Sequence, residues 1–123
     1  MTNPFKDQQD FMTACGQTSV GFHEDQFRMY LNLIVEEAKE LSEALEKDDK
    51  VEMVDALTDI LVVTIGAMHS AGFDPEGAWN EVMRTNFAKI DPETGMVRKR
   101  EDGKILKPEG WTPPDLTKFL TKE

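Results

Sequence analysis

Between residues 25 and 47 the apolar side chains Phe27, Leu31, Ile34, Ala38, Leu41 and Leu45 recur at alternating steps of four and three. That spacing belongs to a helix presenting one seam to a bundle, and it commits the middle of the chain to helix–helix packing. Asp48 and Asp49 suit a tight connection and an N-cap, so a third helix is expected over about 50–70, stopping at Gly72. Its second half is apolar nearly all round, which predicts a buried central helix. A first helix over about 5–14 would stop at Gly16, with residues 17–22 as a connector. Asp74-Pro75-Glu76 opens a fourth, ending near Lys89 and carrying Ala78, Val82 and Trp79 inward. Beyond it lies a stretch rich in Gly, Pro and charge, with turn chemistry at Glu93-Thr94-Gly95 and Glu101-Asp102-Gly103 whose flanking runs could pair as a small hairpin. The expected fold is all-α: a four-helix bundle, with a helical core over about 5–89 and an irregular C-terminal arm over about 90–123. At 123 residues this fits a single domain.

The acids are placed unusually. Glu36, Glu37 and Glu40 stand at steps that share one helix face, and Glu52, Asp55 and Asp59 form a second stripe inside the very apolar third helix. A short turn makes the two helices antiparallel neighbours, so the stripes can face each other. Glu37 falls in line with Tyr30, Leu33 and Ala44 and is expected to be partly buried. The EExxE run by itself reads as a solvated face, as Glu43 and Glu46 do. The second stripe tips the balance, because several carboxylates withdrawn from water repel one another unless a hard divalent cation lies among them.

The pattern EExxE followed by ExxD, here Glu36, Glu37 and Glu40 and then Glu52 and Asp55, resembles the signature of the all-α nucleoside triphosphate pyrophosphohydrolases. That superfamily includes MazG-like proteins, dimeric dUTPases and phosphoribosyl-ATP pyrophosphohydrolase. The tail NFAKIDPETGMVRKREDGKILKPEGWTPPDL is similar to the ending of small MazG-like proteins. The resemblance implies cleavage between the α and β phosphates of a nucleoside triphosphate, giving a monophosphate and pyrophosphate, with Mg2+ as cofactor and Mn2+ as a substitute. It implies Glu37, Glu40, Glu52 and Asp55 as metal ligands, and Glu36 as holder of a further metal or of the attacking water. Asn86, Lys89, Lys104 and Lys107 would hold phosphate oxygens. Asp59 lies outside the strict motif, as an outer-shell partner or a buried acid bonded to a neighbouring helix. The family pattern implies a homodimer or homotetramer, and the tail favours nucleotide-pool cleaning over phosphoribosyl-ATP as substrate.

Charge excludes some partners. A formal net charge of -10 argues against a generic nucleic-acid binder. Residues 36–59 carry ten acids against three lysines, whereas residues 84–107 carry seven basic against four acidic residues, which could set metal beside phosphate. The same acidity motivates a rival of another class, a non-enzymatic helical module that occupies a basic partner. No apolar run is long enough to span a membrane. The first residues lack a signal-peptide pattern, and Cys15 has no partner for an internal disulfide, so the cytoplasm is the expected compartment. Cys15 is expected to pack, His69 to cap the third helix or line a pocket, and Arg98, Lys99 and Arg100 to be solvated. Trp111 could stack a base, pin the arm or touch a partner subunit. There is no GxxxxGK loop and no EF-hand spacing.

Overall fold

In the computed structural model, residues 3–122 are described; Met1, Thr2 and Glu123 of the expected domain lie outside them. Four α-helices account for most of the chain: α1 (Pro4–Ala14), α2 (Glu24–Glu46), α3 (Lys50–Ser70) and α4 (Pro75–Phe87). The all-α expectation holds. The chain divides into two compact units, one of residues up to 75 together with the final segment from 120, the other of residues 76–119.

In the first unit each helix start is fixed by a side-chain acceptor. The Asn3 amide oxygen accepts from the Phe5 and Lys6 N–H groups, His23 Nδ1 from Gln26, and Asp49 from Glu52. The α2–α3 turn is three residues long, and Asp48 takes the left-handed conformation (φ 51°) that a short polar side chain tolerates. Gly72 ends α3 at φ 77°, packed against the Gly21 backbone so closely that a Cβ would sit 2.8 Å from Gly21 N.

The core of this unit is small: Met12, Tyr30, Val63 and Ala67, with Phe27, Leu33 and Ile34 packed against it. Gly66 makes it possible. A Cβ there would lie 2.3 Å from Tyr30 Cε1, so the ring of α2 rests on α3 where no side chain intervenes. Tyr30 then reaches polar partners at the far side, its hydroxyl donating to Gln17 and lying 3.5 Å from Gln8 Nε2. Gln26 fastens the connector, donating to Thr18 O (2.7 Å) and Ser70 Oγ (2.8 Å) while accepting from Thr18 N–H.

The seam differs from expectation by a rotation of α2. Tyr30 and Ala44 are the buried residues, and Leu31, Ala38 and Leu45 are exposed. The central helix is buried mainly from Val63 onward, with Ala56 buried before it; Val51, Val54, Leu57 and Leu61 are open.

In the second unit, α4 ends at Phe87, two residues earlier than expected, and Trp79 is 57% exposed instead of core. The arm follows as a hairpin of β1 (Ile90–Asp91) and β2 (Met96–Val97), antiparallel with Ile90 opposite Val97 and Asp91 opposite Met96. A Lys99–Ile105 bridge closes the second turn. Asp91 Oδ1 accepts from Glu93 N–H and Asp102 Oδ1 from Lys104 N–H, as the turn chemistry predicts. The arm is tied to α4 by Trp111 Nε1, which donates to Thr85 O (2.7 Å), and by the Asp115 N–H, which donates to Glu81 Oε2 (2.9 Å). Arg84 and that N–H together draw the Glu81 carboxyl down to about 2.

Candidate active site

The acidic stripes lie on α2 and α3 of the first unit, the pair of helices that packs most extensively. Glu37 is the member at which they meet. It is half-buried, and its Oε2 is closed off from solvent with no hydrogen-bond partner. Desolvation raises its pKa to about 7, reinforced by Glu40 on its own helix and by Asp59 and Asp55 on α3. Three further carboxylates from two helices therefore act on one acid, and none is a cation.

Glu40, Glu52 and Asp55 are exposed, Asp59 half-buried, and Glu36 exposed on the flank of α2. Glu40 and Glu52 line a hollow of about 330 Å³ beside the α2–α3 turn, with Glu43, Lys47 and Asp49. Among the described residues, no three His, Cys, Asp or Glu side chains are placed close enough together to hold a metal ion. The donor chemistry nevertheless fits a hard divalent ion: an orphaned carboxylate oxygen, neighbours all of one sign, and oxygen ligands only.

The predicted phosphate-binding residues are in the second unit. Asn86 and Lys89 close α4, with Lys89 Nζ donating to Asn86 Oδ1 (3.2 Å). Lys107 joins Lys89 at the Trp111 ring, while Lys104 is exposed in the second turn of the arm, its backbone paired with Arg100 and Asp102. Of the three roles open to Trp111, its indole N–H bond to Thr85 O is that of a pin for the arm. Arg98 and Arg100 are exposed and pair with Asp91 and Asp102.

Two expectations are corrected. Cys15 is exposed and contributes its backbone to the end of α1, so it is not a packing residue. His69 is interior: its Nε2 stands 2.8 Å from Phe5 O, tying the end of α3 to the start of α1. With a carbonyl at Nε2 that nitrogen carries the proton, Nδ1 is left without a partner, and burial lowers the pKa. The spacing of His69 in the sequence could not reveal this tie, because Phe5 offers only a backbone oxygen.

No curated protein matches the chain. Residues 10–86, more than half of the chain and including both acidic stripes, match the phosphoribosyl-ATP pyrophosphohydrolase family. The chain belongs to that family, within the MazG-like all-α nucleoside triphosphate pyrophosphohydrolases, and is an enzyme of the class that hydrolyses acid anhydrides.

Proposed function

We propose that the protein hydrolyses the α–β phosphate anhydride of a nucleoside triphosphate with the aid of Mg2+ or Mn2+, releasing a nucleoside monophosphate and pyrophosphate. The observation that carries this reading is the buried, partnerless oxygen of Glu37 among Glu40, Asp55 and Asp59. Glu37, Glu40, Glu52 and Asp55 would hold the cation, and Asp59 would orient one of them from behind. When bound, the ion neutralises the phosphate charge and acts as a Lewis acid. Glu36, exposed beside that cluster, orients the attacking water and accepts its proton. Asn86, Lys89, Lys104 and Lys107 hold phosphate oxygens by charge and hydrogen bonding.

Nucleotide-pool cleaning is the preferred role, because the MazG-like tail is retained beyond the matched residues. The name of the family favours phosphoribosyl-ATP as a second reading. A panel of standard and modified nucleoside triphosphates, with phosphoribosyl-ATP alongside, separates them. Release of pyrophosphate from triphosphates supports the first reading, and much faster hydrolysis of phosphoribosyl-ATP supports the second. No release from any of them with Mg2+ or Mn2+ sinks both.

A homodimer or homotetramer completes the reading. Val54, Leu57 and Leu61 form one apolar stripe on α3 and are each at least half exposed, on the side away from the buried Ala56 and Val63. A second copy covering this stripe is the expected arrangement. Sedimentation as a monomer at micromolar concentration would overturn it. The cytoplasm remains the proposed compartment; no described helix is long and apolar enough to cross a membrane.

A further inference from the structure

Two ammonium groups converge on one aromatic ring in the second unit. Lys89 Nζ stands 5.3 Å and Lys107 Nζ 4.9 Å from the centre of the Trp111 ring. The sequence brings them there from two directions. Lys89 follows the last turn of α4. Lys107 and Trp111 flank a turn in which the Trp111 N–H donates to Pro108 O (3.1 Å) and Gly110 takes φ 80°, as the third residue of a type II turn requires. The indole N–H then fixes the ring on the α4 backbone at Thr85, itself buried. Among the described residues neither ammonium forms an ion pair with a carboxylate.

Like charges gathered at one point repel, and an indole face offsets that repulsion because its quadrupole attracts cations. The result is two donors held ready at fixed positions, so the ordering of two long side chains no longer falls on the binding step. Asn86 orients one of them through its side-chain oxygen. Phosphate oxygens, with their dispersed negative charge, are the chemistry such a pair accepts.

We infer that Trp111 is a positioning residue, whose ring assembles Lys89 and Lys107 into one seat for the phosphate chain of the substrate. This deepens the proposed function and rests on it for the identity of the ligand. Trp111 touches no reacting atom. It acts through the lysines, and the arm thereby contributes to affinity as well as to fold.

The test uses the full chain in EDTA with inorganic tripolyphosphate as titrant, so neither metal nor catalysis is involved. Calorimetry should detect binding that Lys107→Ala and Trp111→Leu each weaken by about three- to tenfold. Trp111→Phe, which keeps the ring and loses the N–H, should recover most of it. In the Trp111→Leu background Lys107→Ala should cost little more, since the seat is already dispersed. With Trp79→Phe, Trp111 is the only indole, and its emission should change on titration. Unchanged affinity in Trp111→Leu alongside a lower Tm would make the residue a structural pin and overturn the inference. So would multiplicative losses in the double variant, or a silent Trp111 emission. If Trp111→Leu fails to fold, Lys107→Ala and the emission titration still decide, because Lys107 is exposed. Binding of tripolyphosphate by a protein that hydrolyses no nucleotide would refute the proposed function and leave this seat standing.

Discussion

Glu40→Gln and Asp55→Asn are each expected to lower pyrophosphate release at least about a hundredfold, with the helical circular-dichroism spectrum unchanged. Both side chains are exposed, so neither substitution opens a cavity or removes a core contact. Both act on Glu37 from different helices, and each replacement keeps the size of the side chain while deleting one negative oxygen. A fold-based explanation of the loss is thereby excluded in advance. Glu46→Gln, on the exposed final turn of α2, is the matching control and should retain full activity. Retention of activity by Glu40→Gln or Asp55→Asn would remove the carboxylate cluster from the mechanism.

The second large effect is a thermal shift that depends on pH and cation together. The folded-state pKa of Glu37 is raised to about 7 from its ordinary value of 4.5, so the folded protein binds that proton more tightly than the unfolded chain does. The associated stability is fully present below about pH 4.5 and is lost as pH rises through about 7. In EDTA the protein should therefore melt progressively lower over that interval, and Glu37→Gln should flatten the profile and melt above wild type at pH 8. Mn2+ at about a hundred times its dissociation constant should raise the wild-type Tm at pH 8 on the order of 10 °C. The rise should be small at pH 5, where the proton competes with the ion. An equal rise at both pH values, or one reproduced by NaCl of the same ionic strength, would refute cation binding at Glu37.

The local signals in the sequence located the helices well, because caps and stops are local chemistry. Asp49 and Gly72 bound α3, and Gly16 follows α1, where the residue types demand it. The rotation of α2 was harder to read. Apolar residues occupy both flanks of that helix, so spacing alone offers two seams, and the choice is made by Gly66 admitting the Tyr30 ring. Glu37 was still legible, since it shares a line with Tyr30, Leu33 and Ala44 whichever seam is drawn. At Trp79 a helical step points an apolar residue to an inner face, yet the side chain is 57% exposed, because spacing carries no information on how far the core extends. The grouping of Lys89 and Lys107 on Trp111 could not be read at all. It depends on a turn in the arm and on one indole bond to a helix carbonyl, neither of which has a periodic signature.

The chain leaves the first unit after residue 75 and returns to it at residue 120. On its return Lys122 donates to Ser19 O (2.6 Å), in the connector between α1 and α2. In polymer terms the second unit is a loop pinned at both ends. Closing such a loop costs entropy that grows only with the logarithm of its length, about 0.6 kcal/mol for each doubling. Insertions and deletions in the turns at Gly95 and Gly103 can therefore accumulate with little penalty to α2 and α3, the two helices that carry the acidic stripes. The arm is thus free to vary in length without disturbing the helices that hold the carboxylates.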